Sequence, residues 1–327
     1  MTNDSFSIRL REARLMMGLS MDKLVERTNG AITKQSISRY EKGIMRPKRD
    51  ALQAIAKALN ISEAYFDGTN IKIDVPMLRT TSNGKVSEDE LQALEAKLSF
   101  WAEQYLAKEK EAGFPTQFKN PIKGTRVSTL EDAIQASCLL REKWHCGDGP
   151  IASILRLLER KGIMILAATL PEYVFGMSTW ADKKHPLMIL DFNPEKSSVE
   201  KLRFTAAHEL AHLLLLFPED SPLKLEKRCD LFACFFLLPK LALIEELGSR
   251  KRELITLEEM IDIKELYGAS LAASIIAARD YGIITTEYKR AWYAEHIEPN
   301  PREIGNGHYA FPETLGKEKR VNSIVDS

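Results

Sequence analysis

"FTAAHELAHLLLLF", residues 204–217, sets two histidines and a glutamate inside a run that is otherwise apolar. His208 and His212 stand four apart, so on a helix they share one face, one turn from each other, and aim both imidazoles at a common point. Burying two imidazoles and a carboxylate among Phe204, Leu210, Leu213 and Leu214 is costly unless something satisfies them. Chance is a poor explanation. With 6 histidines in 327 positions, about 0.1 such pairs are expected, and a glutamate directly after the first lowers this by more than about tenfold.

Two histidines on successive turns fill two corners of the tetrahedron that zinc prefers, at about 2.0–2.1 Å per nitrogen. Glu209 is rotated about 100° from His208. That takes it away from a ligand position but leaves it within reach of a water on the ion's open side, whose proton a carboxylate accepts as the water attacks a carbonyl. A catalytic zinc needs a third protein ligand. "EKRCD", residues 226–230, precedes the apolar "LFACFFLLP" and offers one. Glu226 is the ligand candidate, and Asp230, one turn on, is placed to accept the free ring N–H of a zinc-bound histidine. The alternative for both is the ordinary charged first turn of an amphipathic helix.

The rest of the chain frames these two helices. It is 44% hydrophobic and 28% charged with a net charge of +0, which leaves room for a sizeable core and excludes the chain as a whole as a polyanion binder, so any basic surface is local. No apolar run approaches the ~20 residues of a membrane span and no signal-like segment opens the chain, which points to the cytoplasm and to no membrane partner. Cys138, Cys146, Cys229 and Cys234 form no CxxC pair and read as small buried hydrophobes. The β-like runs "GIMILAATL", "YVFGMSTW" and "PLMILDF" lie between a helix over "PIASILRLLERKG", with Pro150 near its start and Gly162 at its end, and the motif helix, which should begin near Ser198. Thr69 to Lys85 reads as a linker. Ser87 then reads as the N-cap of a helix with the stripe Leu91, Leu94, Leu98, Trp101 and Tyr105, free either to pair or to pack on the C-terminal region. Residues after Thr256 read as mostly helical, and roughly the last twenty as a loose polar tail.

"LRFTAAHELAHLLL" followed by "EKRCDLFACFFLLP" resembles the ImmA/IrrE family of metallopeptidases, over about Leu130 to Gly282. That family pairs an R-F-T-x-A-H-E-x-x-H helix with an E-x-x-A-(N/D)-x-F-A-x-x-L-L-x-P helix. The resemblance implies a zincin-like domain with His208, His212 and Glu226 as metal ligands and Glu209 as general base. Cys229 stands where the family usually has alanine and Ala211 where it usually has glycine, while the four chemical positions are intact. The resemblance does not fix the group that stabilises the oxyanion; Tyr173, His185 and Tyr267 qualify by residue type.

The first 68 residues carry a second signal: twelve basic residues against eight acidic. Between Thr33 and Arg49 the basic residues are Lys34, Arg39, Lys42, Arg46, Lys48 and Arg49, against Glu41 alone. A local basic face on a small helical segment is an electrostatic footprint for phosphates. Short helices are punctuated by Gly18 and Gly43 and capped by Ser20 and Thr33. The helix over "KQSISRYE" turns Lys34, Gln35, Ser36, Ser38 and Arg39 outward and Ile37 and Tyr40 inward. Gln and Arg are the side chains that read adenine and guanine edges in pairs of hydrogen bonds. "GLS", Leu24 and Val25, "ISRYEKG", a proline and "LQAIAKAL" together resemble the lambda-repressor-like (XRE) helix-turn-helix family. The resemblance implies a core of Ile37, Tyr40, Leu52, Ile55 and Leu59, with Gln35, Ser36 and Arg39 in the major groove. Lys34, Ser38, Lys42 and Arg46 complete the expected DNA-binding set. "TNGAI" makes the turn before that helix about two residues longer than the commonest form.

These readings predict an α+β chain in four parts: an all-α helix-turn-helix domain (1–68), a linker and connecting helix (69–129), a mainly helical zincin-like domain with a short β-sheet (130–284) and a C-terminal extension (285–327). The expected function is a transcriptional regulator that binds double-stranded DNA, as a homodimer, and carries a Zn2+-dependent endopeptidase that cleaves a partner protein, a repressor or antitoxin-like regulator. The competing expectation is a binding-only transcription factor whose metallopeptidase fold senses a ligand or a metal. Glu209 weighs for the enzyme, because a sensing shell has no use for a base beside the first histidine. A zinc-dependent DNA-processing enzyme ranks third, since the metal region is not basic and H-E-x-x-H chemistry suits peptide carbonyls.

Overall fold

A computed structural model of the protein describes residues 5–68, 71–74, 88–113, 117–170 and 172–317. The chain is α+β and mainly helical, and its described residues divide into two compact units, 5–113 with 179–184 and 117–178 with 185–317.

The first unit holds α1 (Ser5–Met16), α2 (Met21–Arg27), α3 (Lys34–Glu41), α4 (Arg49–Leu59), a 3-10 turn (Glu63–Asp67), β1 (Ile73–Asp74) and α5 (Glu88–Glu111). Ser20 and Thr33 cap α2 and α3 by accepting the N–H groups of Lys23 and Ser36, which satisfies donors that the first turn leaves without partners. The turn between them passes through Asn29 and Gly30 at positive φ, a region that asparagine and glycine enter readily. Leu10, Leu24, Ile37, Ile55 and Leu59 close the core, with Phe6, Tyr40 and Phe66 around them and Leu52 partly buried. α5 packs on α1, where Arg9 forks onto Glu103 at 2.6 and 2.8 Å. Ser99 donates to the Ile71 carbonyl at 2.6 Å. The expected linker is therefore structured in part: Ile73 and Asp74 pair antiparallel with Ala181 and Trp180, at the end of β3 (Gly176–Ala181). Residues 69–70 and 75–87, Ser87 included, and the Leu91 side chain lie outside the described residues.

The second unit contains α6 (Leu130–Trp144), α7 (Ile154–Arg160), β2 (Met164–Ala167), β4 (His185–Leu190), α8 (Val199–Leu214), α9 (Pro222–Leu237), α10 (Lys240–Leu247), α11 (Leu257–Tyr267), α12 (Leu271–Asp280) and α13 (Thr286–His296). β4 lies between β2, its parallel neighbour with Met164 opposite Leu187, and the start of β3. α8 begins on the Ser198 hydroxyl, which accepts the Lys201 N–H. α9 opens with Pro222 in its first turn and ends before Pro239, as the fixed proline φ allows at a start and forbids in a continuation. α7 starts later than the sequence pattern suggests, because Ser153 caps it and Glu313 accepts the N–H groups of Ile154 and Leu155.

That last contact corrects the expectation of a loose tail for its described residues, up to 317. Glu303 accepts from the N–H groups of Leu271 and Ala272 and from Lys264. Glu313 also pairs with the fully buried Arg203, and Glu159 accepts the N–H groups of Gly316 and Lys317. Two carboxylates of the C-terminal segment thus neutralise the exposed donors and positive ends of α12 and α7. Residues 318–327 lie outside the described residues.

Candidate functional site

α8 and α9 pack side by side and carry the expected metal-site residues to one point. His208 Nε2 lies 3.2 Å from His212 Nε2 and 3.0 Å from Glu226 Oε2, and His212 Nε2 lies 3.6 Å from the same oxygen. Donors around a tetrahedral zinc with bonds of about 2.0–2.1 Å stand about 3.3 Å apart, so this set of two nitrogens and one oxygen fits zinc in both chemistry and spacing. The Glu226 side chain is 43% exposed, against 15% for His208, which leaves the centre open on one side. Asp230 Oδ1 sits 2.9 Å from His208 Nδ1. A carboxylate only accepts, so Nδ1 carries the hydrogen and Nε2 is the nitrogen directed at the centre.

Burial opposes charging His208, but the hydrogen bonds to Asp230 and Glu226 prevail and raise its pKa to about 9. The same imidazoles hold the Glu226 carboxyl well below the usual range. Glu209 is buried, and its Oε2 accepts the Ser178 hydroxyl at 2.7 Å. Ser178 reaches it because β3 presses on α8: a Cβ at Gly176 would stand 2.6 Å from Thr205 Cγ2, so only glycine permits the approach. Neither Gly176 nor Ser178 was legible as a site residue, since a strand-to-helix contact leaves no local pattern. Cys229, read as a small hydrophobe, is buried and places its sulfur within 4.8 Å of the ligand nitrogens of His208 and His212. Its spacing of three from Glu226 was the available signal. Among the oxyanion candidates, Tyr267 is buried and donates to Glu246, whereas Tyr173 is 68% exposed.

In the first unit, α3 turns Ile37 and Tyr40 into the core and leaves Lys34, Gln35, Arg39 and Lys42 exposed. Ser36 and Ser38 are half-buried, and the Ser36 hydroxyl is shared with Thr33 at 3.0 Å. Lys34 pairs with Asp22 at 2.7 Å, while Arg46 extends over the Phe6 ring at 5.8 Å. The helix is held by a residue pair outside the expected set: Arg14 of α1 forks onto Glu41 at 2.6 and 2.8 Å. Their side chains are 10% and 4% exposed, so the lone acid of the basic stretch is structural.

The helix-turn-helix family profile matches residues 10–66. Residues 10–66 form an XRE-type helix-turn-helix, a DNA-binding regulator domain. No curated protein matches the chain. The crystal structure of ComR from Streptococcus suis is similar at 14% identity over 100% of this chain and 77% of that one, with a TM-score of 0.19, a superposition too low to carry a structural argument. Among the described residues no helix is long and apolar enough to cross a membrane.

Proposed function

We propose that the protein is a DNA-bound regulator whose second unit is a zinc-dependent endopeptidase of the ImmA/IrrE type, acting on a partner regulatory protein. The observation that carries this is the donor triangle of His208, His212 and Glu226, spaced 3.0–3.6 Å with an outward opening. Zinc bound there supplies Lewis acidity and acidifies a water. The chain's own residues do the rest. Asp230 fixes the tautomer of His208; Ser178 orients the Glu209 carboxylate; Glu209 accepts a proton from the attacking water and returns it to the departing amine. The helix-turn-helix places this activity on double-stranded DNA, as a homodimer over two half-sites one helical turn apart.

A sensing role without turnover is the second reading, favoured by the soft sulfur of Cys229 within 4.8 Å of the histidine nitrogens. Glu209→Gln separates the two, since it keeps size and polarity but removes the base. The zinc-loaded protein is incubated, with and without chelator, with the products of its neighbouring genes. Cleavage that chelator abolishes, and that Glu209→Gln reduces by about 10²–10⁴-fold with zinc retained, supports the peptidase. Normal regulatory output from Glu209→Gln, with output lost in His208→Ala, would sink it in favour of the sensor.

A further inference from the structure

Beside the metal centre, α8, α9, α12 and the segment around Pro301–Ile304 enclose a cavity of about 550 Å³, a size typical of small-molecule sites. Its walls are mainly apolar, with Phe204, Leu231 and Ile276 among them, and its charged groups are unevenly satisfied. The carboxylates are engaged: Glu200 accepts the Tyr309 N–H, Glu303 holds Lys264 and two helix N–H groups, and Asp230 braces His208. Lys196 is paired with Asp191. Lys201 differs. Its ammonium lies 4.8 Å from the Phe175 ring centre and 5.6 Å from that of Phe204, with no hydrogen bond or ion pair among the described residues. Desolvation lowers its pKa while the charge of Asp230 opposes that shift, and the residue stays exposed, its ammonium hydrated in the open cavity. At the rim, Arg302 makes one bond, to the Glu195 carbonyl at 3.0 Å, which leaves other guanidinium donors available.

We propose that this cavity binds a small amphipathic monocarboxylate, with its apolar body against Phe204, Leu231 and Ile276 and its carboxylate on Lys201 and Arg302. A neutral apolar molecule filling the cavity would strip water from the Lys201 ammonium and offer nothing in its place. A phosphate dianion fits worse. Three acidic side chains line the same space, and the N–H groups of Leu271 and Ala272 at the start of α12, where such an anion would sit, are already taken by Glu303. The site lies one side chain from His208, through Asp230, and its ligand chemistry does not depend on whether the metal centre cuts a peptide.

Isothermal titration calorimetry of the full-length protein with 4-phenylbutyrate and with 4-phenylbutan-1-ol tests this. The acid should bind at least about tenfold more tightly than the alcohol, as expected for charge-assisted contacts to two cations. Lys201→Met keeps the apolar stem and removes the charge; it should remove most of the acid's advantage, Arg302 holding the remainder, and leave the alcohol unchanged. Ala272→Trp, which fills the cavity, should abolish binding of both, with an unaltered circular dichroism spectrum showing an intact fold. No binding of the acid at millimolar concentration, equal binding of acid and alcohol, or an unchanged acid affinity in Lys201→Met would each overturn the proposal.

Discussion

Two carboxylates meet one imidazole at His208, Asp230 at Nδ1 and Glu226 at Nε2, at 2.9 and 3.0 Å. With its pKa raised to about 9, the metal-free ring carries both protons at neutral pH, and an ion at Nε2 must displace one of them. Below that pKa the proton competes with the metal, so zinc affinity should climb with pH and level off near 9. Calorimetry in buffers of different ionisation enthalpy should show proton release at neutral pH; an affinity that is flat there would contradict the shared-proton arrangement. Replacing either histidine by alanine should remove bound zinc while DNA binding survives. Asp230→Asn keeps an acceptor for Nδ1–H but loses the charge, and should weaken zinc by about 10–100-fold, read by competition with a chromogenic chelator. Wild-type protein with no transition metal by elemental analysis, even after zinc is supplied, would refute the centre itself.

Element ends were legible wherever side-chain chemistry marks them: Ser20, Thr33 and Ser198 accept the N–H groups that their helices leave open, and Pro239 stops α9. The spacing of His208, His212, Glu226 and Asp230 was legible for the same reason, since a helix converts sequence spacing directly into a shared face. Contacts between elements were not. Glu41 counted as the lone acid among basic residues, yet in the fold it and Arg14 are 4% and 10% exposed and join α3 to α1. Removing one partner of a buried pair strands the other charge, at a cost of about 3–5 kcal/mol. Glu41→Ala should therefore lower the denaturation midpoint of the first unit strongly and lose DNA binding with it. Arg39→Ala, at an exposed position of α3, should leave the midpoint unchanged and cost about 1–3 kcal/mol on the preferred DNA site. Equal losses on preferred and random DNA would make Arg39 a phosphate contact. The described part of the tail was misread likewise, because Glu313 looks solvated in sequence and reveals its helix-capping role only in space.

At the scale of the whole chain, the sequence separates a basic N-terminal segment from a region carrying a candidate metal site but gives α5 no fixed partner. The fold attaches α5 to α1 through Arg9 and Glu103, whose side chains are 3% and 12% exposed. Ala96, Leu98, Ala102 and Tyr105 of α5 are buried as well. A fragment ending at 68 keeps every α3 side chain that faces outward but uncovers Arg9 and the surface of α1 beneath α5. A fragment ending at 113 retains that cover; residues 179–184, which pair with β1, are missing from both, which leaves β1 unpaired in the longer fragment alone and works against the gain expected there. The longer fragment should melt higher, by roughly 4–8 °C for each kcal/mol that the α1–α5 contact contributes. Below both melting points the two should bind the same DNA with the same salt dependence, because the slope counts phosphate contacts and these belong to the shared helices. Equal melting temperatures would show that α5 adds nothing to the stability of the helix-turn-helix, and a steeper salt dependence for the longer fragment would place DNA contacts on α5 itself.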